Sequence, residues 1–188
     1  MDFIPYFRDV IKTLTDEGII VIEAAGNGGL DLDNAIFSGA FDRRKNDSGA
    51  IMVGAVCGET AAKAPFSNYG SRIDSSSWGC FDVVTTTGSS TSADLLNEEN
   101  NWYTLTFSGT SAANPIVAAV AADISGYARS QGVILTAAEL RNIITTTGTK
   151  FLSSSDSRQS DSGIMGTQPD LEKAFRAVDQ LKSGKTVH

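Results

Sequence analysis

Residues 107–117 read Phe-Ser-Gly-Thr-Ser-Ala-Ala-Asn-Pro-Ile-Val, placing Ser111 directly after a Gly-Thr turn and at the head of an alanine-rich run to about Ser130. The run predicts a buried helix, with Pro115 early enough to fall in the first turn, where a missing N–H costs little. A helix N-terminus carries unpaired N–H groups and the positive end of the dipole, so an oxyanion forming beside Ser111 would be stabilised there. A serine at a helix start is by itself ordinarily a cap. Its chemistry depends on what the rest of the chain brings to that helix end.

Upstream, Ile19 to Ala25 is a short, almost wholly apolar and β-branched run, which predicts a strand covered on both faces in a parallel sheet. Ile51 to Val56 predicts a second such strand and Phe81 to Thr86 a weaker third. Polar, glycine-containing connections lie between the strands and beyond them, notably Asp31 to Ser48 and Gly88 to Asn101. Phe3, Ile4, Phe7, Val10, Ile11 and Leu14 line one face of a helix that Gly18 ends. Downstream, Thr136 with Glu139 forms a capping box for a helix to about Thr146. Residues 153–163 are a polar surface loop, and Pro169 with Asp170 opens an amphipathic helix through Leu171, Phe175, Val178 and Leu181. Alternating helices and buried strands indicate an α/β layered fold with a parallel sheet.

The 188 residues suffice for one domain, and 41% hydrophobic with 20% charged residues is ordinary globular composition. A net charge of −7 argues against a nucleic-acid binder, which would show a basic face. No run approaches the roughly 18 apolar residues of a membrane span, and the N-terminus lacks a signal-peptide pattern. The chain therefore reads as soluble, without a membrane partner. The single histidine is His188, so no imidazole is available within residues 1–187. Cys57 and Cys80 are compatible with one disulfide or with two reduced thiols.

Ligands of parallel sheets bind at the carboxyl ends of the strands, which directs attention to Gly26-Asn-Gly-Gly29. A phosphate cradle is disfavoured, because no spaced third glycine opens a following helix and no Lys-Ser/Thr pair is present. The glycines instead allow a substrate backbone to approach, and the Asn27 amide offers a neutral N–H donor, although an asparagine serving only the turn fits the loop taken alone.

Val21-Ile-Glu-Ala-Ala-Gly-Asn27 and Ser108-Gly-Thr-Ser-Ala-Ala-Asn-Pro115, in this order, resemble the oxyanion-hole loop and the nucleophile signature of the subtilisin-like serine proteases, the subtilases. Gly49-Ala-Ile-Met-Val-Gly-Ala-Val56 and Pro65-Phe-Ser-Asn-Tyr-Gly70 resemble the family's connecting strand and turn. Sedolisins share a similar Ser-Gly-Thr-Ser string but carry aspartate where this chain has Asn27. The resemblance implies a three-layer subtilisin-like fold with a mostly parallel sheet, present only in its carboxyl-terminal part. It implies Ser111 as nucleophile, with Asn27 and the Ser111 N–H as oxyanion donors and Thr110 supporting them. Ala24, Ala25 and Gly26 become one wall of the pocket for the residue preceding the scissile bond, and Phe107 lies on the leaving-group side.

The family's triad Asp and His precede its oxyanion asparagine. Only 26 residues do so here, without a histidine, and Asp2, Asp9 and Asp16 lack the family's aspartate context. Two expectations follow. Either the chain is the carboxyl-terminal part of a longer peptidase and inactive alone, or it is a pseudoprotease that binds peptides or partner proteins. Retention of both Ser111 and Asn27 favours the first. The family setting implies secretion, and an acidic, Ser/Thr-rich chain is compatible with it. Trp78-Gly79 stands where the family more often has Ala-Pro-Gly. Glu23 either selects a basic substrate residue or pairs with an arginine, and Arg43, Arg44 and Lys45 form a solvated basic loop. The resemblance also admits structural calcium; Asp31, Asp33 and Asn34 offer hard oxygens, but no ligand set is assigned.

Overall fold

Strand β2, Ile51–Cys57, is buried on both faces. Its alternation sends Ile51, Val53 and Ala55 into one hydrophobic cluster and Met52 into another. The computed structural model describes residues 3–58, 62–88, 102–150 and 165–183. Parallel to β2 run β1, Ile22–Ala24, on one side and β4, Ser75–Trp78, on the other. β4 is followed by parallel β8, Thr167–Gln168, and then by antiparallel β7, Thr149–Lys150. A short β3, Ala62–Lys63, pairs antiparallel with the end of β2. Strand order is thus β1-β2-β4-β8-β7, a mixed α/β sheet with mostly parallel pairing.

One face carries three helices: α3, Thr110–Ser130; α4, Ala137–Thr147; and α5, Leu171–Lys182. Val117, Ile124, Leu140, Ile143, Ile144 and Val178 pack there against Ile51 and Val53. The predicted caps form. Thr136 accepts from the Glu139 N–H at 3.2 Å while Glu139 accepts from the Thr136 N–H at 2.8 Å, and Asp170 accepts from the Lys173 N–H. Pro115 lies in the second turn of α3, later than expected, so Ser111 C=O lacks the N–H donor four residues on.

The other face is covered by the connection after β1, where Leu32 and Phe41 pack with Met52 and Ile73. Just before helix α1, Pro5–Asp16, the Phe3 ring packs on this layer against Phe37 and Phe41. The helix has no buried residue, and Phe7, Val10 and Leu14 of its apolar stripe face outward. Among the described residues β1 is the outermost strand on its side; the prediction of cover on both faces holds for β2 and not for β1, where only Glu23 is buried.

Two predicted segments take different places. Phe81 to Thr86 shortens to β5, Val83–Thr86, which leaves the parallel sheet and pairs antiparallel with β6, Tyr103–Phe107. The third parallel strand is instead the Ser-Ser-Ser-Trp of β4. Its low β-propensity is overridden because Ser75 Oγ and Ser76 Oγ donate to Thr167 O and Met165 O at 2.8 and 2.7 Å. The basic run forms a short helix and not a loop, α2, Arg43–Asn46; Arg44 and Lys45 are solvated as expected, but Arg43 reaches the buried Asp74. Asp74 also accepts from the fully buried Arg72 at 2.6 Å and from the Met52 N–H at 2.8 Å. Cys57 and Cys80 form a disulfide. Residues 153–163, most of the 88–101 connection and His188 lie outside the described residues.

Candidate active site

The carboxyl end of β1 and the N-terminus of α3 meet through the side chains of Asn27 and Thr110. Asn27 Oδ1 accepts from the Thr110 N–H at 2.9 Å and from Thr110 Oγ1 at 3.0 Å. Thr110 Oγ1 in turn accepts from the Gly26 N–H at 3.1 Å. Two donors on one oxygen determine which end of the amide is which: Nδ2 is left as the group without a partner among the described residues.

Gly109, the residue before Thr110, adopts φ +94°. The point a Cβ on Gly109 would occupy lies 3.1 Å from Asn27 Nδ2 and 3.6 Å from the Ser111 nitrogen. The Asn27 amide nitrogen and the Ser111 backbone nitrogen thus both border the space that a side chain at Gly109 would fill. The Ala112 and Ala113 N–H groups turn to Gly109 O at 2.9 and 3.4 Å, whereas Ser111 N–H keeps no such bond among the described residues. Ser111 and Asn27 are both exposed, while Thr110 and Gly109 behind them are buried.

Gly26 and its neighbours are braced by a residue to which the sequence assigned no role. Asn68 Nδ2 donates to Ala25 O at 2.8 Å, and its Oδ1 accepts from the Gly28 and Leu30 N–H groups at 3.1 and 2.9 Å. Its backbone N–H donates to Gly26 O, and a Cβ on Gly26 would approach Asn68 Nδ2 to 2.8 Å. The only sequence signal for this contact is the turn-forming Pro65-Phe-Ser-Asn-Tyr-Gly70 stretch, in which Asn68 lies. Ala24 ends β1, Ala25 continues it by donating to Val53 O, and Phe107 ends β6, partly exposed and opposite Val83.

The loop oxygens that could serve calcium accept hydrogen bonds from protein groups, two of them in local turns and one across to Ser71. Asp31 Oδ1 accepts from the Asp33 N–H, Asn34 Oδ1 from the Ile36 N–H, and Asp33 from both the N–H and the hydroxyl of Ser71. Among the described residues no group of three or more His, Cys, Asp or Glu is placed to hold a metal. Glu23 is buried on β1 beside Met52.

An α/β protein that sets an exposed serine on a helix N-terminus, beside an asparagine amide held by the preceding threonine, has the layout of a serine-peptidase fold. Residues 7–163 match the Subtilase family, to which the chain belongs. It is similar in structure to the prenylagaramide maturation protease PagA, with a TM-score of 0.66 and 20% identity, over 96% of this chain and 56% of that one. A lanthipeptide protease gives a TM-score of 0.63 at 19% identity, over 90% and 54%. The epidermin leader peptide processing serine protease of Staphylococcus aureus gives 0.63 at 19%, over 92% and 44%. The chain thus spans about half the length of these proteins.

Proposed function

We propose that this chain carries the nucleophile and oxyanion hole of a serine endopeptidase. Ser111 Oγ attacks the peptide carbonyl, and Ser111 N–H and Asn27 Nδ2 donate to the oxygen as it becomes charged. The amine then leaves with a proton, and water releases the acyl group from Ser111. The observation that carries this reading is the double hold of Thr110 on Asn27 Oδ1, which leaves Nδ2 beside the Ser111 turn. Thr110 acts as a positioning residue. Ala24, Ala25 and Gly26 form one wall for the residue preceding the scissile bond, and Phe107 lies toward the leaving group.

An alcohol is weakly nucleophilic without a base to take its proton. The only imidazole in the chain is that of His188, outside the described residues. The base and its carboxylate partner are therefore supplied by polypeptide that complements this chain, and the chain alone is inactive. The unpartnered face of α1 and the outer edge of β1 are where such polypeptide would be accommodated. A secreted setting is part of the same reading, supported by the Cys57–Cys80 disulfide, which persists in oxidising compartments.

Labelling with a serine-directed fluorophosphonate tests the proposal. Ser111 should stay unlabelled in the isolated chain and become labelled when the Asp- and His-bearing polypeptide is supplied, with labelling abolished by Ser111→Ala. Complementation that assembles yet leaves Ser111 unreactive would favour a peptide-binding pseudoprotease instead.

A further inference from the structure

The Cys57–Cys80 disulfide takes no part in the chemistry proposed for Ser111, yet it lies one residue from the backbone that seats the nucleophile turn. It joins the end of β2 to the segment leaving β4, with Cα atoms 4.8 Å apart and a sequence separation of 23. Asp82 doubles the link. Its Oδ1 accepts from the Cys80 N–H at 2.8 Å and its Oδ2 from the Gly58 N–H at 3.2 Å, so the residues next to both sulfurs are tied to one carboxylate.

Gly79 sits inside this bracket. Its N–H donates to Val56 O at 3.1 Å, and its carbonyl accepts from the Gly109 N–H at 2.8 Å. The approach is close enough that a Cβ on Gly79 would stand 2.5 Å from Gly109 O and 3.0 Å from the Ala55 Cβ. Gly109 leads into Thr110, which holds Asn27. The path from disulfide to oxyanion donors is thus Cys80, Gly79, Gly109, Thr110, Asn27, each step a covalent neighbour or a hydrogen bond.

We infer that the Cys57–Cys80 disulfide, with Asp82, is a positioning device for the nucleophile turn, holding Gly79 where it seats Gly109 and through it Ser111 and the Asn27 amide. The positioning claim stands on this geometry; its catalytic meaning rests on the peptidase reading above. Both cysteines are partly exposed and accessible to a dithiol. Such a reductant opens the bond by delivering two electrons and two protons, giving two thiols and leaving as a cyclic disulfide. The loss is local, because the β2–β4 ladder from Val53–Ser75 to Val56–Trp78 lies beneath the bracket and does not depend on it.

Backbone amide hydrogen exchange on the purified chain tests this without substrate or complementing polypeptide. In Cys57→Ser/Cys80→Ser, and in the dithiol-reduced chain, the Gly109 and Thr110 amides should exchange at least about tenfold faster, with Ala121 and Leu140 unchanged. Gly79→Ala, with the disulfide intact, should accelerate the same two amides. Unchanged exchange at Gly109 and Thr110, or one uniform acceleration of every amide, would overturn the inference; the latter means the bond contributes only global stability. If the double variant does not fold, Asp82→Ala in the oxidised chain decides, since it too should free those two amides selectively and no effect there counts against the device. Because exchange is blind to catalysis, the positioning device and the peptidase reading can fail independently.

Discussion

Thr110 has three bonds to make and makes them with two residues 83 and 84 positions away, Asn27 and Gly26. Replacing it with valine keeps the backbone bond to Asn27 but deletes the hydroxyl, leaving Gly26 N–H unpaired and Oδ1 with one donor. The expected loss is about tenfold in kcat of the complemented enzyme, from about 1–2 kcal/mol for the unmade bonds. A Thr110→Val variant with wild-type kcat would remove Thr110 from the positioning role. Asn27→Ala should cost about 10²–10³ in kcat with KM little changed, the usual range for loss of one oxyanion donor. Steady-state kinetics checks the split: a raised KM at constant kcat would make Asn27 a ground-state or turn residue.

Between elements, Arg141 on α4 clasps Asp47, just before β2, with two bonds of 2.7 and 2.6 Å. Burial alone would raise the Asp47 carboxyl pKa, but the Arg141 hydrogen bonds and the Gly49 N–H outweigh it and bring it down to about 2. A depressed folded-state pKa contributes stability above the unfolded value of 3.8, lost as pH falls toward about 2. Asp47 is 34% exposed, so screening reduces the contribution to about 1 kcal/mol. Chemical denaturation should show Asp47→Asn less stable than the parent near pH 6, with the gap closing by pH 2. A gap of constant size would mean the ion pair does not govern this acid sensitivity.

At the scale of the molecule, Phe7, Val10 and Leu14 on α1 point outward while β1 forms a sheet edge. An exposed apolar stripe and a strand edge without a partner among the described residues are each a surface for association. The isolated chain should self-associate, and Phe7→Glu with Leu14→Glu should shift light scattering toward monomer without lowering the melting temperature, since neither side chain is buried. A compact monomer with a sharp melt in the unmodified chain would refute this and support an autonomous domain.

Features legible in the amino-acid sequence were those set by residues a few positions apart. The Thr136–Glu139 capping box, the opening of α5 at Pro169–Asp170 and the β2 strand covered on both faces form as expected, and α3 begins at Thr110, one residue before the Ser111 start that the sequence predicts. Tertiary structure decided what depends on distant partners. Ser75 to Trp78 became a central strand because carbonyls about 90 residues away accept its hydroxyls, and Asn68 became a brace because the Gly26 loop lies 43 residues upstream. Arg43 left a seemingly solvated run for an aspartate 31 residues on. Side-chain period and cap chemistry are local properties of the backbone, whereas a buried polar group takes whatever partner the packed chain brings within reach, and no local pattern encodes that meeting.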